Sequence, residues 1–243
     1  MHIPNGFLDP KVSAGLGIAS AGALAWCFAK VRELVTSPAL QEAFSTAGKA
    51  ASAASQKARR VLSGYGEKFI IKMGAVAALI FAAQMFNFPV SQGTSGHLLG
   101  GVLAAVVLGP WAGAIVVSVI LLVQSVFFAD GGILVLGANI FNMAVIGAIG
   151  GYYVYYGISR IIRGSTGIYA GAAIAAWLSV FVAAGATALE LALSGTFSLA
   201  DTMRSMLSVH AVIGLAEAAI TVAAIGLLGM IDPKMKIGGE GNE

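Results

Sequence analysis

Three histidines, His2, His97 and His210, are the side chains here best suited to bind a transition metal, and the first has a chemical option the others lack. When histidine is the second residue, the free α-amine, the amide nitrogen of residue 2 and its imidazole can chelate one ion through fused small rings. Losing the amide proton needs a metal that strongly favours nitrogen in a square-planar field, Ni(II) or Cu(II) rather than Mg(II) or Ca(II). One further imidazole completes a four-nitrogen site, and His97 is the natural candidate. The chelate needs Met1 in place; removal of an initiator methionine usually requires a small second residue, and histidine is not small. The opening MHIPNGFLDP has neither the basic segment nor the apolar run of a signal peptide, so this end is expected to persist in the mature protein. The plain alternative is that His2 is an ordinary solvated terminal residue.

The other polar groups have paired readings. His97 follows the loop VSQGTSG and reads as the first residue of a helix, where Thr94 or Ser95 could serve as N-cap; its bland role is a hydrogen bond to backbone. His210 and Glu217 are seven apart and share a helical face with Gly214 between them. Glu217 falls mid-span, where a carboxylate is costly and is usually functional or paired; the alternative is an interhelical hydrogen bond that fixes packing. Asn139 and Asn142 share a face and could orient a liganding imidazole or simply bond across helices. Asp130 and Glu190 fall at the ends of apolar runs. The single cysteine, Cys27, rules out an internal disulfide and a cysteine-based metal cluster. No G-x-x-x-x-G-K-[ST], H-E-x-x-H or nucleophile-elbow motif occurs, so neither P-loop ATP hydrolysis nor zincin or serine-hydrolase chemistry has a basis in this chain.

The elements that position these groups are membrane spans. Hydrophobic residues make up 58% of the 243 and charged residues 10%, against roughly a quarter charged in a soluble domain. Residues 12–29, 98–129 and 131–159 carry no Asp, Glu, Lys or Arg, and uncharged runs of about 18 or more read as bilayer spans. The pattern predicts an all-α, single-domain polytopic protein with seven helices. They lie at about 12–29, 69–88, 97–108, 111–128, 137–158, 167–192 and 207–230, with Leu108-Gly109-Pro110 breaking a run too long for one ~30 Å core. Residues 1–11 form a tail, 30–68 a polar connector and 232–243 a second tail. An extracellular N-terminus puts twelve of the fourteen basic residues inside, all but Lys11 and Arg204, as the positive-inside rule requires; the reverse orientation inverts the ratio. The excess of positive charge is therefore a topology signal rather than a nucleic-acid surface. This orientation gathers all three histidines with Asp130, Asn139, Asn142 and Glu190 at the outer face. Small-xxx-small pairs such as Gly147/Gly151 and Gly167/Gly171 allow close helix packing in lipid.

MHIPNGF, FNFPVSQGTSGHLLGG (86–101), LGPW (108–111), DGGILVLGANIFNMA (130–144) and HAVIGLAEAAIT (210–221) together resemble the CbiM/NikM family, the substrate-binding membrane subunits of energy-coupling-factor transporters for cobalt or nickel. The blocks run in family order over nearly the whole chain. The resemblance implies a seven-helix fold with the N-terminal segment tucked into the outer face, and metal held by Met1 (amine), His2 (amide and imidazole) and His97. It also implies that the DGGILVLGAN segment lies over the site, with Asn139, Asn142, Asp130 and His210 behind the ligands. The connector is longer than the family pattern, and HLLGG after His97 leans toward the nickel members. The implied role is a non-enzymatic uptake subunit in the inner (plasma) membrane that captures Ni(II) or Co(II) as cargo, with no catalytic cofactor. Its implied partners are a transmembrane coupling subunit, two cytosolic ATPase subunits and a small accessory membrane subunit. The rivals are a stand-alone permease or channel, which would need charges through the depth of the bundle, and a membrane enzyme using Glu217 and His210 as an acid/base pair.

Overall fold

Long uncharged runs become long helices, and the breaks fall where glycine or proline interrupts them. The computed structural model describes residues 1–35, 52–90 and 94–231. Nine residues of irregular chain lead into α1 (Pro10–Val35), which starts on a proline, a residue suited to a first helical turn. Next come α2 (Ser52–Gln84), two short strands β1 (Asn87–Pro89) and β2 (Ser95–His97), α3 (Gly101–Leu108) and α4 (Pro110–Phe127). The expected break at Leu108-Gly109-Pro110 is there: Gly109 turns with φ 86° and Pro110 opens α4. A 3₁₀ turn (Ile133–Val135) leads into one continuous rod built of α5 (Leu136–Ile140), a π-helical stretch (Phe141–Gly150) and α6 (Gly151–Ile161). Helices α7 (Gly164–Leu193) and α8 (Leu199–Ile231) complete the chain.

Among the described residues, five helical stretches are long and apolar enough to cross a membrane: Pro10–Glu33, Pro110–Phe127, Ile133–Ile161, Gly164–Leu193 and Leu199–Met230. The chain is a multi-pass membrane protein. Small residues line the packed face of one central helix. On α7 Ala172, Ala175, Ala176, Ala183 and Ala184 are all fully buried on one stripe, which faces α6 and α8. Large apolar side chains are buried elsewhere, but others such as Ile18, Trp26, Ile161 and Met230 point outward, as a lipid solvent allows. One close approach is between α3 and the π-helical stretch, where a Cβ on Gly101 would lie 2.9 Å from the backbone carbon of Gly147. Glycine's missing side chain sets the helix separation there.

Three expectations change. The second helix ends at Gln84 rather than near 88, because Asn87–Pro89 pairs antiparallel with Ser95–His97, so a two-stranded hairpin accompanies the helices. His97 therefore lies in a strand, opposite Asn87, and α3 starts only at Gly101; neither Thr94 nor Ser95 caps it. Apolar runs look alike in a helix and in the buried arm of a hairpin, which is why the pattern alone put the helix start too early. The polar connector is partly helical, since α1 reaches Val35 and α2 opens at Ser52; its residues 36–51 and the 232–243 tail lie outside the described residues.

Candidate metal centre

The tail, the β1–β2 hairpin and the segment 128–135 all adjoin helix ends on one side of the bundle. The tail is not solvated: Met1, His2, Ile3 and Leu8 are buried. It is held through its backbone. Asn139 Oδ1 accepts from Ile3 N–H at 2.9 Å, and Asn139 Nδ2 donates to Ile3 O at 3.3 Å. Gly132 N–H also donates to Ile3 O, at 2.9 Å, and Leu134 N–H donates to Asn5 Oδ1 at 3.0 Å. Ile3 and Leu8 pack with Val135, Ala138 and Leu191. The double glycine in Asp130-Gly131-Gly132 makes room for this. Gly131 turns with φ +88°, and a Cβ on it would lie 3.1 Å from His2 Cδ2; one on Gly132 would lie 2.3 Å from Asn5 Oδ1. An open cleft of about 390 Å³ lies against His2, Ser95, Asp130 and Gly131.

Docking brings the tail against the hairpin. The Met1 α-amine donates to Ser95 O, and the His2 and His97 rings stack with centroids 4.4 Å apart at 27°. His2 Nδ1 lies 2.9 Å from Asp130 Oδ1. His97 Nδ1 lies 2.6 Å from Leu98 O, a carbonyl that can only accept, so this nitrogen carries the proton. The lone pair is thus on His97 Nε2, which is buried with no hydrogen-bond partner among the described residues; His2 Nε2 has none there either. Burial takes the Met1 amine from 8.0 down to about 4, against the opposing pull of Asp130. Burial likewise lowers His2, although the Asp130 contact works the other way. His97 is held well below the usual imidazole range by burial and by the neighbouring amine and His2. Burial alone would raise Asp130, but the His2 contact and the amine outweigh it and leave the carboxyl below its ordinary value. At neutral pH the cluster is a set of uncharged nitrogens beside one carboxylate.

The remaining candidates divide. Asn142 makes its hydrogen bonds to α7, Nδ2 donating to Glu190 Oε2 at 2.8 Å and to Thr187 Oγ1 at 3.1 Å. His210 packs beneath the hairpin: its Nδ1 bonds Met206 O at 2.7 Å, its Nε2 has no partner, and a Cβ on Gly96 would lie 3.5 Å from its Cε1. Glu217 is buried and takes the backbone N–H groups of Leu99 (2.8 Å) and Gly100 (2.6 Å). Two residues not singled out from the sequence join them. Gln84 Nε2 donates to Leu99 O at 2.7 Å, and Gln124 Nε2 donates to Gln84 Oε1 at 2.9 Å. Both are fully buried, and Gln124 also acts on His2. Part of the signal was available: Gln124 is the one amide in the uncharged run 98–129, whereas Gln84 shares its span with Lys72 and Asn87.

Fold and site together define a multi-pass membrane protein with a buried cluster of amine and imidazole nitrogens at one end of its bundle. The family model described as "Cobalt uptake substrate-specific transmembrane region", CbiM, matches residues 2–235, and the chain belongs to that family. It is 36% identical over 235 residues to the fused NikMN protein of Archaeoglobus fulgidus, covering 96% of this chain and 67% of that one. It is 36% identical over 155 residues to the fused nickel transport protein NikMN of Rhodobacter capsulatus, covering 64% of this chain and 36% of that one. Against the cobalt transport protein CbiM of Sorangium cellulosum it is 32% identical over 163 residues, covering 64% of this chain and 71% of that one. A crystal structure of a transition metal transporter superposes with a TM-score of 0.76 at 29% identity, covering 96% of this chain and 95% of that one. One of a truncated transition metal transporter gives 0.75 at 30%, covering 95% and 99%.

Proposed function

We propose that this chain is the substrate-capture subunit of an energy-coupling-factor transporter, taking up Ni(II) or Co(II) as cargo through its own N-terminus. The carrying observation is the convergence of the α-amine, the second residue's amide and imidazole, and the lone pair of His97 in one buried, uncharged cluster. The α-amine and amide close a five-membered ring on the ion. The amide and His2 close a six-membered ring only through Nδ1, since closure through Nε2 would need seven. Nδ1 faces Asp130, so for Nδ1 to reach the ion the ring must turn about Cβ–Cγ or Asp130 must yield. His97 Nε2 supplies the fourth nitrogen. Amide deprotonation favours Ni(II) over Co(II), and burial of the amine removes the proton that would otherwise compete for it.

For the seven-helix reading, an N-terminus outside and a C-terminus in the cytosol of a plasma-membrane protein are supported by the basic-residue bias. The chain carries no nucleotide motif, so a transmembrane coupling subunit and two ATPase subunits, with a small accessory membrane subunit, supply the energy. Homology to transport proteins supports this over an enzymatic role for Glu217 and His210. Purified protein should bind about one Ni(II), and His2→Ala or acetylation of the Met1 amine should each remove one chelate ring and lower affinity by at least about a hundredfold, about 2.8 kcal/mol. A blocked N-terminus that binds Ni(II) normally overturns the proposal.

A further inference from the structure

Resting on the metal-binding role just argued for His97, we propose that Glu217 is the positioning residue for that histidine, acting through a single peptide plane. The peptide unit between Leu98 and Leu99 is rigid and planar. At one end its carbonyl, Leu98 O, accepts from His97 Nδ1 at 2.6 Å. At the other its N–H, on Leu99, donates to Glu217 Oε2 at 2.8 Å. Turning this plane breaks both bonds at once. The carboxylate on α8 thereby fixes which imidazole nitrogen holds the proton and where Nε2 points.

Glu217 Oε1 takes the next N–H, on Gly100, at 2.6 Å. Gly100 is left-handed (φ 70°, ψ 0°) and precedes α3 without a side-chain cap of its own, a conformation that turns successive N–H groups toward one anion. Gln84 Nε2 holds the Leu99 carbonyl at 2.7 Å. Residues 97–100 are all buried, so no water replaces these bonds. A carboxylate suits the task because both of its oxygens accept; a glutamine of the same shape brings an NH₂ against one of the two N–H donors. Negative charge at the N–H end of the peptide also polarises its carbonyl, which strengthens the bond to Nδ1–H and makes Nε2 a better donor. The arrangement is a carboxylate–peptide–imidazole relay, the counterpart of the carboxylates that hold liganding histidines directly.

The test compares wild type, Glu217→Gln, His97→Ala and the double variant in detergent, with Glu217→Asp as the conservative control. Histidine ¹⁵N spectra of the metal-free proteins should show His97 protonated on Nδ1 in wild type and a tautomer mixture in Glu217→Gln, with Glu217→Asp between. Exchange of the Leu99 and Gly100 amides should be slow in wild type and faster in Glu217→Gln. Ni(II) affinity should fall about 10- to 100-fold in Glu217→Gln, the usual cost of losing a partner behind a ligand. In the His97→Ala background the same change should alter affinity by less than about twofold, because pairwise coupling disappears when one partner is gone. Equal losses in both backgrounds overturn the proposal, as does an unchanged His97 tautomer or an affinity equal to wild type. If Glu217→Gln does not fold, Glu217→Asp carries the same comparison. A wild type that binds no Ni(II) or Co(II), while its His97 tautomer still follows Glu217, overturns the uptake reading and leaves the relay standing.

Discussion

The two halves of the nitrogen cluster are held in opposite ways. The tail, carrying Met1 and His2, has no regular structure and lies on a surface made by Asp130–Asn139, gripped through its backbone by Asn139 and by Gly132. The hairpin, carrying His97, is woven into the bundle: α8 holds it through Glu217, α2 through Gln84, and His210 packs below Gly96. The tail is therefore expected to leave without unfolding its host, whereas His97 is expected to move only if helices move.

Two glycine substitutions would break that comparison if it is wrong. Gly100→Ala forces a left-handed residue and drives a Cβ to 2.5 Å from Ile80 Cγ2. The strain of about 1–2 kcal/mol and overpacking of about 1–3 kcal/mol should together destabilise the whole bundle by about 2–5 kcal/mol, read as a lower unfolding temperature. Gly132→Ala has an ordinary φ, but its Cβ would sit 2.4 Å from Asn5 N in the tail backbone. It should expel the tail, abolish Ni(II) binding and expose residues 1–9 to protease, while unfolding stays near wild type. If Gly132→Ala unfolds as readily as Gly100→Ala, the tail is part of the core rather than an insert.

The paired asparagines sharpen the same contrast at lower amplitude. Asn139→Ala removes both side-chain bonds to Ile3, worth about 1–2 kcal/mol together, so Ni(II) affinity should drop roughly tenfold with little change in unfolding temperature. Asn142→Ala leaves the tail untouched and strips Glu190 and Thr187 of their shared donor; it should lower stability by a similar amount and barely alter affinity. Isothermal titration and thermal unfolding of the two variants decide it.

Much of this was legible beforehand. Spans showed as uncharged runs, the α3–α4 break as Gly109-Pro110, and His2 as the residue with a chelate available to it. The hairpin was not, because Phe88-Pro89 and the apolar residues after His97 read equally well as helix ends. Neither was the π-helical stretch Phe141–Gly150, whose residues have no distinctive period of their own; the Gly101–Gly147 approach belongs to the packed bundle. Asn139 and Asn142 sit three apart and were read alike, yet the wide turns between them and the neighbouring elements send one to the tail and the other to α7. Glu217 was visible as a costly carboxylate, but its partners are backbone N–H groups more than a hundred residues away, which no spacing rule reaches.

The most specific consequence concerns protons. The Met1 amine is ordinarily protonated below 8.0 and here only below about 4. A cation whose folded value is depressed opposes docking as pH falls: the penalty starts near pH 8, grows by ~1.4 kcal/mol per unit and levels off near pH 4. The hairpin half is held at Leu99 and Gly100 by Glu217 and Gln84 rather than by the tail. Exchange of the Gly132 amide, which is bonded to Ile3 O in the docked tail, should therefore speed up between pH 8 and pH 5 after correction for intrinsic rates, while the Leu99 amide stays protected. Metal binding follows the same logic with opposite appearance. A free MHIPNGF peptide must release an amine proton, an amide proton and part of an imidazole proton to take Ni(II) near pH 7. The docked protein has already lost the amine proton, so its affinity should fall with pH by about one proton's worth less per unit than the peptide's. Parallel Ni(II) titrations of protein and peptide from pH 8 to pH 6 measure that difference directly, and equal slopes would mean that the amine is not buried when the metal arrives.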